Sequence, residues 1–191
     1  MSTRACLVAL FVLVSRPVAA APARRSAPPT RVSVATDLAP WALDGFSVIG
    51  AVEPAAWPRW RLGAELWSMR LPRFAVELAG ANAGEGWRHD VTIAGTLYVD
   101  RFVGGWHVGG FVNAMRARIE RGGASAPLHV LEVIGRVGYR WLPFGPRGLA
   151  IDPWLGLGPQ VALGARPVLD GERYALAPVQ LVATVHVGAR F

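Results

Sequence analysis

A two-residue alternation of apolar and polar side chains dominates residues 175–191 of this chain. The apolar positions all share one parity and comprise Val179, Leu181, Ala183, Val185, Val187, Ala189 and Phe191. The polar positions share the other parity and comprise Gln180, Thr184, His186 and Arg190. Successive side chains of a β-strand point to opposite faces. The segment is therefore predicted to be a strand with one apolar and one polar face.

The same alternation recurs along most of the chain. It predicts eight strands, at residues 32–40, 45–54, 59–69, 87–101, 105–119, 128–142, 149–163 and 175–191. The connections 54–58, 102–105 and 143–148 are short, whereas 70–86, 120–127 and 164–174 are longer. Short turns at one end and longer loops at the other, with an even strand number, are typical of a closed antiparallel up-and-down transmembrane β-barrel. We expect an all-β fold of this kind.

Residues 73–81 fit either a ninth strand or a short helix within a loop. Pro72 stands where a helix would begin, a position that proline favours. A ninth strand would have to be compensated by removing residues 32–40 from the barrel. We therefore expect the short helix.

The first residues have the features of a secretory signal peptide. Arg4 precedes an apolar run from Ala5 to Val14, and small residues follow at positions 19–21. We expect a cleaved signal peptide at 1–21, possibly extending to 23, then a disordered Pro- and Arg-rich linker at 22–31 and the barrel at 32–191. Cys6 is the only cysteine and lies in the signal segment, so the mature protein is expected to contain no thiol.

Composition excludes several function classes. All 20 basic residues are arginine, a bias that suggests a GC-rich genome more than a nucleic-acid partner. The chain carries no glycine-rich nucleotide-binding motif. Its four histidines show no metal-ligand spacing. We expect no cofactor, no metal and no nucleic-acid partner.

Two groups of charged residues are candidate site residues. The first lies on the polar parity, which also carries Asp100, His186 and Arg190, and is expected to form a charge network in the lumen: Arg61, Glu65, Glu132, Arg136, Arg140 and Asp152. The second maps to the end with the longer loops and is a candidate for contact with lipopolysaccharide phosphates: Arg70, Arg73, Arg88, Arg116, Arg118 and Arg121. Plain solvation of these rim arginines is the alternative.

The terminal Phe191, at the end of an alternating strand, resembles the C-terminal assembly signal of Gram-negative outer-membrane barrels. Outward aromatics at the end where the chain terminates resemble the aromatic girdle of these proteins: Trp60, Trp106, Tyr139, Trp141 and Phe191. Over residues 32–191 the pattern is similar to the eight-stranded OmpA-like and OmpW-like proteins. This resemblance implies residence in the outer membrane, insertion by the barrel-assembly machinery and contact with membrane lipid and lipopolysaccharide. It carries over no functional residue.

The expected role is structural or surface-exposed and non-enzymatic, with two alternatives. A conduit or binder for small apolar molecules would use the inward aromatics Trp67, Phe111 and Trp154. A lipid-modifying enzyme would need a serine or histidine beside an acid, but His89 and Asp90 are adjacent and point to opposite faces of a strand. For the fold, the alternative is a soluble β-sandwich or lipocalin-like barrel, in which the apolar face would point inward.

Overall fold

Eight antiparallel strands close into a barrel. The computed structural model describes residues 29–79 and 86–191, so the expected signal peptide and most of the linker lie outside the described residues. The elements are β1 (Arg31–Asp37), α1 (Leu38–Ala42), β2 (Phe46–Glu53), β3 (Trp60–Arg70), α2 (Arg73–Ala79), β4 (Arg88–Val103), β5 (Trp106–Arg121), β6 (Ala124–Tyr139), β7 (Gly148–Ala162), β8 (Val168–Leu169), β9 (Glu172–Arg173) and β10 (Val179–Arg190).

Each barrel strand pairs with its sequence neighbour, β7 pairs with β10, and β10 pairs with β1 to close the wall. Strands β8 and β9 form a separate two-stranded hairpin. The predicted closed antiparallel barrel of about eight strands is confirmed. We call the end that holds the start of β1 and the finish of β10 the terminal end, and the opposite end the far end.

The apolar parity of every long strand points outward. Leu97 is 68% exposed and Leu157 is 57% exposed, whereas the inward Asp100 is fully buried. Further outward apolar side chains continue this belt around the barrel: Val48, Leu66, Val108, Val112, Val133, Val137, Leu155, Val161 and Leu181. A soluble sandwich or lipocalin-like barrel requires the opposite orientation, so that alternative is wrong.

The barrel wall is tall on one side and low on the other. Strands β4, β5 and β6 have 16 residues each, whereas β1 has 7 and β2 has 8. The predicted strand at 32–40 ends early, because the Asp37 side chain accepts a hydrogen bond from the Ala39 N–H and caps α1. Helix α1 therefore takes the place of the strand's last residues.

The expected longer loop at 120–127 is wrong. Strand β5 continues to Arg121 and β6 begins at Ala124, so two glycines alone make the turn. Gly122 has φ 56° and Gly123 has φ 83°. Positive φ at both central residues is the requirement of a tight hairpin turn, and glycine adopts it without strain. At the other end of the chain, β10 begins at Val179 instead of the predicted residue 175.

Residues 73–79 form α2, so the expected helix is confirmed and the ninth strand is not formed. The Pro72 carbonyl accepts hydrogen bonds from the Ala75 N–H at 2.9 Å and the Val76 N–H at 3.0 Å. Proline at this position loses no hydrogen bond, because the first N–H groups of a helix have no intrahelical partner. In the described part of the chain, neither helix is long and apolar enough to cross a bilayer.

Large aromatic side chains surround the terminal end on its outer surface. Trp106 and Trp141 are exposed, and the Trp106 ring centroid lies 5.3 Å from that of Tyr139. Phe191 joins β1, because its N–H donates to the Val32 carbonyl at 2.8 Å. The last residue of the chain is thereby tied to the first strand at the closing edge of the barrel.

Candidate ligand-binding cavity

Ion pairs fill the lumen at the terminal end. Arg61 contacts Asp100 at 2.6 Å and Asp152 at 2.9 Å. Arg140 lies 2.6 Å from Glu53 and 3.3 Å from Asp152, so it links these two carboxylates. The network also includes Arg190, which pairs with Glu53, and His107, whose Nε2 lies 2.6 Å from Asp152 Oδ1. We call this group the charged floor.

Ion-paired side chains occupy the lumen at the charged floor. A small pocket that Arg61, Arg140, Asp152 and Arg190 help to line has a volume of about 20 Å³. A space of this size holds roughly one water molecule. The barrel is therefore closed at its terminal end, as expected for eight strands, whose interior is just wide enough for side chains to fill.

Arg136 forms the upper surface of the charged floor. Its Nε and Nη2 atoms donate to the two carboxylate oxygens of Asp100 at 2.8 and 2.7 Å. Its guanidinium carbon lies 4.3 Å from the Tyr98 ring centroid and 5.2 Å from the Trp154 ring centroid. Two-point binding of the carboxylate and stacking against aromatic rings are geometries that arginine favours. These contacts fix the guanidinium in place.

Two of the six residues expected in the charge network are not part of it. Glu65 follows Arg61 by four positions on β3, and Glu132 precedes Arg136 by four positions on β6. Four residues of strand span about 13 Å, and neither carboxylate forms an ion pair among the described residues. Instead, Glu65 Oε1 accepts a hydrogen bond from Ser47 at 2.7 Å, and Glu132 Oε2 accepts one from Asn113 at 2.9 Å.

The network contains residues that the sequence analysis left out of it. Asp100 and Arg190 were placed in the lumen by parity, but Glu53 and His107 were not singled out. Glu53 shares the inward parity of Ser47 and Ile49 along β2, and all three are buried. The same alternation would have identified Glu53, whereas its partner across the lumen depends on the register of strands far apart in sequence.

A cavity of about 380 Å³ lies above the charged floor. Apolar side chains from several elements line it: Leu43, Trp67, Met69, Phe74, Val91, Phe111, Met115, Trp154 and Val182. The three inward aromatics expected to line a conduit are among them. Polar side chains are confined to a few positions, including Asp37, Glu65, Thr96, Glu132 and Thr184. An apolar wall with a few fixed polar groups is the usual make-up of a small-molecule pocket.

The cavity borders the part of β10 that has no pairing with β1. Only residues 186–190 of β10 pair with β1, so the edge of Val179–Val185 that faces away from β7 has no strand partner in the described part of the chain. Helices α1 and α2 lie against this edge instead. The cavity is lined by Val182 and Thr184 on the inner face of β10 and also by Leu181 and Ala183 on its outer face. The cavity lining thus follows consecutive residues of β10 at its unpaired edge.

We call this edge of β10, with α1 and α2 against it, the lateral seam. Neighbouring barrel strands are joined by backbone hydrogen bonds along their lengths. At the lateral seam, α1 and α2 lie against β10 and no such ladder of hydrogen bonds is present among the described residues.

The connection between β7 and β10 covers another part of the far end. Tyr174 is fully buried, its ring centroid lies 5.2 Å from that of Trp87, and its hydroxyl lies 3.2 Å from His89 Nδ1. Burial raises the pKa of Tyr174 to about 12, so the phenol stays neutral at physiological pH. Leu169 and Leu176 from the same connection pack in this cluster.

The six rim arginines lie at the far end but differ in their contacts. Arg88, Arg116 and Arg118 are exposed. Arg70 is also exposed and lies 3.5 Å from Asp90, and Arg73 begins α2. Arg121 differs from the group, because it pairs with Glu172 of β9 and its guanidinium carbon lies 5.0 Å from the Trp87 ring centroid. These contacts hold the β8–β9 hairpin against the end of β5, so the Arg121 guanidinium is already engaged and is not free to bind phosphate.

Three residues offer atoms close enough to suggest a metal site. One ligand atom each from Asp37, Glu65 and His186 lies within 4.8 Å of the others. However, His186 Nε2 accepts a hydrogen bond from Trp154 Nε1 at 2.9 Å. An indole N–H can only donate, so the imidazole lone pair that a metal would need is already engaged.

Comparisons with known proteins give one solved structure. No protein family profile matches the chain, and no curated protein matches it. The crystal structure of Neisserial surface protein A is similar, with a TM-score of 0.40 and 13% sequence identity, over 84% of this chain and 92% of that one.

Proposed function

We propose that this protein is an integral outer-membrane barrel that binds a small, mostly apolar molecule in its internal cavity, without catalysing a reaction. The observation that carries the binding role is the cavity of about 380 Å³ above a floor of ion-paired side chains. Because the floor is closed, an axial conduit is disfavoured. The remaining arrangement is a pocket that is closed at the terminal end and binds its ligand.

The outer surface supports membrane residence. Ten residues of β7 separate Ile151 from Val161 on the outward face, which is about 33 Å of strand. At a tilt of about 40°, this length spans about 25 Å along the barrel axis, the usual height of the apolar band of outer-membrane barrels. An apolar surface of this extent is rare on soluble monomers.

The distribution of charges in the lumen favours ligand binding as the function, rather than conduction through a charged channel. A lumen with charges throughout would disfavour an apolar ligand. Here the ion pairs lie at the terminal end, and Trp67, Phe111 and Met115 line the space above them. The ligand would thus contact mainly apolar surface, which contributes about 25 cal/mol per Å² removed from water.

A non-enzymatic role agrees with the hydrogen bonds of the candidate catalytic groups. Ser47 donates its hydroxyl proton to Glu65, and His186 Nε2 accepts from Trp154. A serine nucleophile needs a histidine with a free nitrogen as its base. Neither group is arranged in that way, and Asp90 lies on the opposite face of β4 from the buried His89.

We also propose that Arg116 and Arg118 contact phosphate groups of lipopolysaccharide, which gives the barrel a surface role at the far end. Both are exposed on the outer face of β5. Arg116 pairs in register with Ile93, which is 48% exposed and belongs to the apolar belt. Arginines at the border of such a belt are placed to bind lipid phosphates.

The binding proposal is tested by filling the cavity. We would compare wild type with the double variant Val182→Trp/Met115→Trp, which adds bulk to the cavity wall. The matched control is Val133→Trp/Val161→Trp, which adds the same side chains to the outer face. Binding of a twelve-carbon alkyl probe would be counted by native mass spectrometry, with unboiled gel migration confirming that each barrel is folded. We expect one bound probe for wild type and control and none for the filled variant. Equal binding by all three would contradict a ligand site in the cavity.

A further inference from the structure

We propose that the ligand is a single-chain amphiphile with a cationic ammonium head, which binds between Asp37 and Glu65 while its alkyl chain extends along the lateral seam. This inference rests on the proposed binding function and adds the chemical class of the ligand and its route. It is carried by the hydrogen-bond partners of the carboxylates that line the cavity and by the unpaired edge of β10 beside that cavity.

Two carboxylates in the cavity wall, Glu65 and Glu132, form no ion pair among the described residues. Glu65 accepts a hydrogen bond from the Ser47 hydroxyl, and Glu132 accepts one from the Asn113 amide. Among the residues that the structure describes, neither takes part in an ion pair with arginine, in contrast to Asp100 and Asp152 of the charged floor. Both donors are neutral. A buried carboxylate is costly without an opposite charge, so a cationic ligand would be stabilised here.

Asp37 contributes a third carboxylate, at the point where β1 ends and the lateral seam begins. It is the last residue of β1, at the point where pairing with β10 stops. Its side chain accepts hydrogen bonds from the Ala39 N–H and the Thr184 hydroxyl, and Oδ2 lies 3.7 Å from His186 Nε2. Asp37 and Glu65 each bring a carboxylate oxygen within 4.8 Å of the other. An ammonium group placed between them would contact both.

The arginine that lines the cavity directs its hydrogen bonds to Asp100 and forms no ion pair with Glu65. Arg136 donates two hydrogen bonds to Asp100, and the rings of Tyr98 and Trp154 lie against its guanidinium. It cannot turn toward Glu65 without breaking these contacts. The acidic wall of the cavity therefore stays available to an external cation.

An ammonium head fits this wall better than a metal ion does. A metal would need His186 Nε2 as its third ligand, and that atom already accepts from Trp154. An ammonium group needs acceptors alone, and Asp37 and Glu65 provide them. Trp67, which also lines the cavity, adds an aromatic surface of the kind that attracts alkylammonium groups.

The alkyl chain would follow apolar side chains from this head site along the lateral seam. Leu43, just after α1, and Phe74 of α2 line the cavity, as do Leu181 and Ala183 of β10. The outward faces of Leu181 and Ala183 belong to the surface that we propose lies in lipid. The ligand would thus move between membrane and cavity without its chain crossing water.

The test compares probes that share a chain and differ in charge. Barrels in lipid nanodiscs would be titrated with dodecylammonium and with dodecyl sulfate, and bound probe counted by native mass spectrometry. We expect dodecylammonium to bind at least about tenfold more tightly, since a hydrogen bond to a charged group contributes about 1.5–3 kcal/mol. Each methylene added to the chain should strengthen binding about fourfold.

Two pairs of variants test where the ammonium head and the alkyl chain of the ligand bind. Glu65→Gln keeps the side-chain shape and should weaken dodecylammonium binding about tenfold, whereas Asp90→Asn, on the outer face of β4, should leave it unchanged. Ala183→Trp should obstruct the lateral seam and weaken or slow binding. Ala114→Trp, on the exposed outer face of β5, is its matched control. Unboiled gel migration would verify that each variant is folded.

The outcomes separate this inference from the binding function on which it rests. If both probes bind wild type equally and Glu65→Gln has no effect, the cavity binds ligand but the cationic head is wrong. If Ala183→Trp binds as well and as fast as Ala114→Trp, the route along the lateral seam is wrong. If Zn²⁺ alone binds tightly and dodecylammonium does not, the three residues form a metal site and the inference fails. If no alkyl probe binds, the proposed function fails with it.

Discussion

Replacing Leu157 by arginine tests whether the apolar belt lies in lipid. Leu157 is 57% exposed on β7 and pairs in register with Gly135 and Leu181. It lies six residues from Ile151, which forms an isolated bridge with Trp141 of the aromatic girdle. Six residues of strand at a tilt of about 40° correspond to about 15 Å along the barrel axis. This distance places Leu157 near the middle of a hydrocarbon core of about 30 Å.

The expected cost of Leu157→Arg follows from that depth. An arginine at the bilayer midplane of a barrel destabilises it by about 2–4 kcal/mol, and near the interface by about 0–1 kcal/mol. Leu149→Arg is the matched control, because Leu149 lies on the same face of the same strand but at the terminal end, beyond Ile151. The folding equilibrium should therefore fall about 30-fold or more for Leu157→Arg and change little for Leu149→Arg.

The assay is denaturant titration of folding into phospholipid vesicles, followed by tryptophan fluorescence. Free energies of unfolding would be compared for wild type and the two arginine variants at equal lipid concentration. If Leu157→Arg and Leu149→Arg have the same small effect, within about 0.5 kcal/mol as for ordinary surface changes, then Leu157 does not face lipid. The assignment of the apolar belt to a membrane would then be refuted.

The remaining predictions concern the floor, the terminus and the rim. Arg136→Met should destabilise the barrel by about 3–5 kcal/mol in the same titration, since Asp100 loses one of its buried partners; a change below 1 kcal/mol would contradict this. Deleting Phe191 should slow barrel assembly in cells without blocking secretion, so that unfolded protein accumulates in the periplasm, and a normal barrel yield would remove its role as an assembly signal. Changing Arg116 and Arg118 to glutamine should reduce co-purified lipopolysaccharide at low salt more than at high salt, because exposed charges are screened; unchanged retention at low salt would leave these arginines merely solvated.

The sequence predicted the barrel strands because a barrel with an apolar outer face and a polar lumen enforces alternation. Each outward apolar side chain has neighbours in the strand that face the lumen. This rule identified all eight strands and the outward face of Leu157 and Leu181. The two-residue turn at Gly122 and Gly123 carried its own signal, since consecutive glycines favour tight hairpins, but it was assigned to a longer loop.

The site was less predictable, because it depends on register. Parity placed Arg61 and Glu65 in the lumen together, but their separation along β3 decides that only Arg61 reaches Asp100 and Asp152. The lateral seam follows from β1 ending at Asp37 while β10 extends beyond it. Alternation within one strand contains no information about how far its neighbour extends. The cavity and its acidic wall therefore emerged only from the folded chain.

The most direct test of the proposed membrane barrel is a spin-label scan along residues 152–162 of β7 in lipid bilayers. The chain has a single cysteine, Cys6, in the expected signal peptide, so labels at introduced cysteines would report only the chosen positions. We predict that collision rates with oxygen, which concentrates in lipid, alternate with a period of two residues and peak at 155, 157 and 161. Labels at inward positions should be shielded. High collision rates with a water-soluble nickel chelate at 155 and 157 would contradict the account.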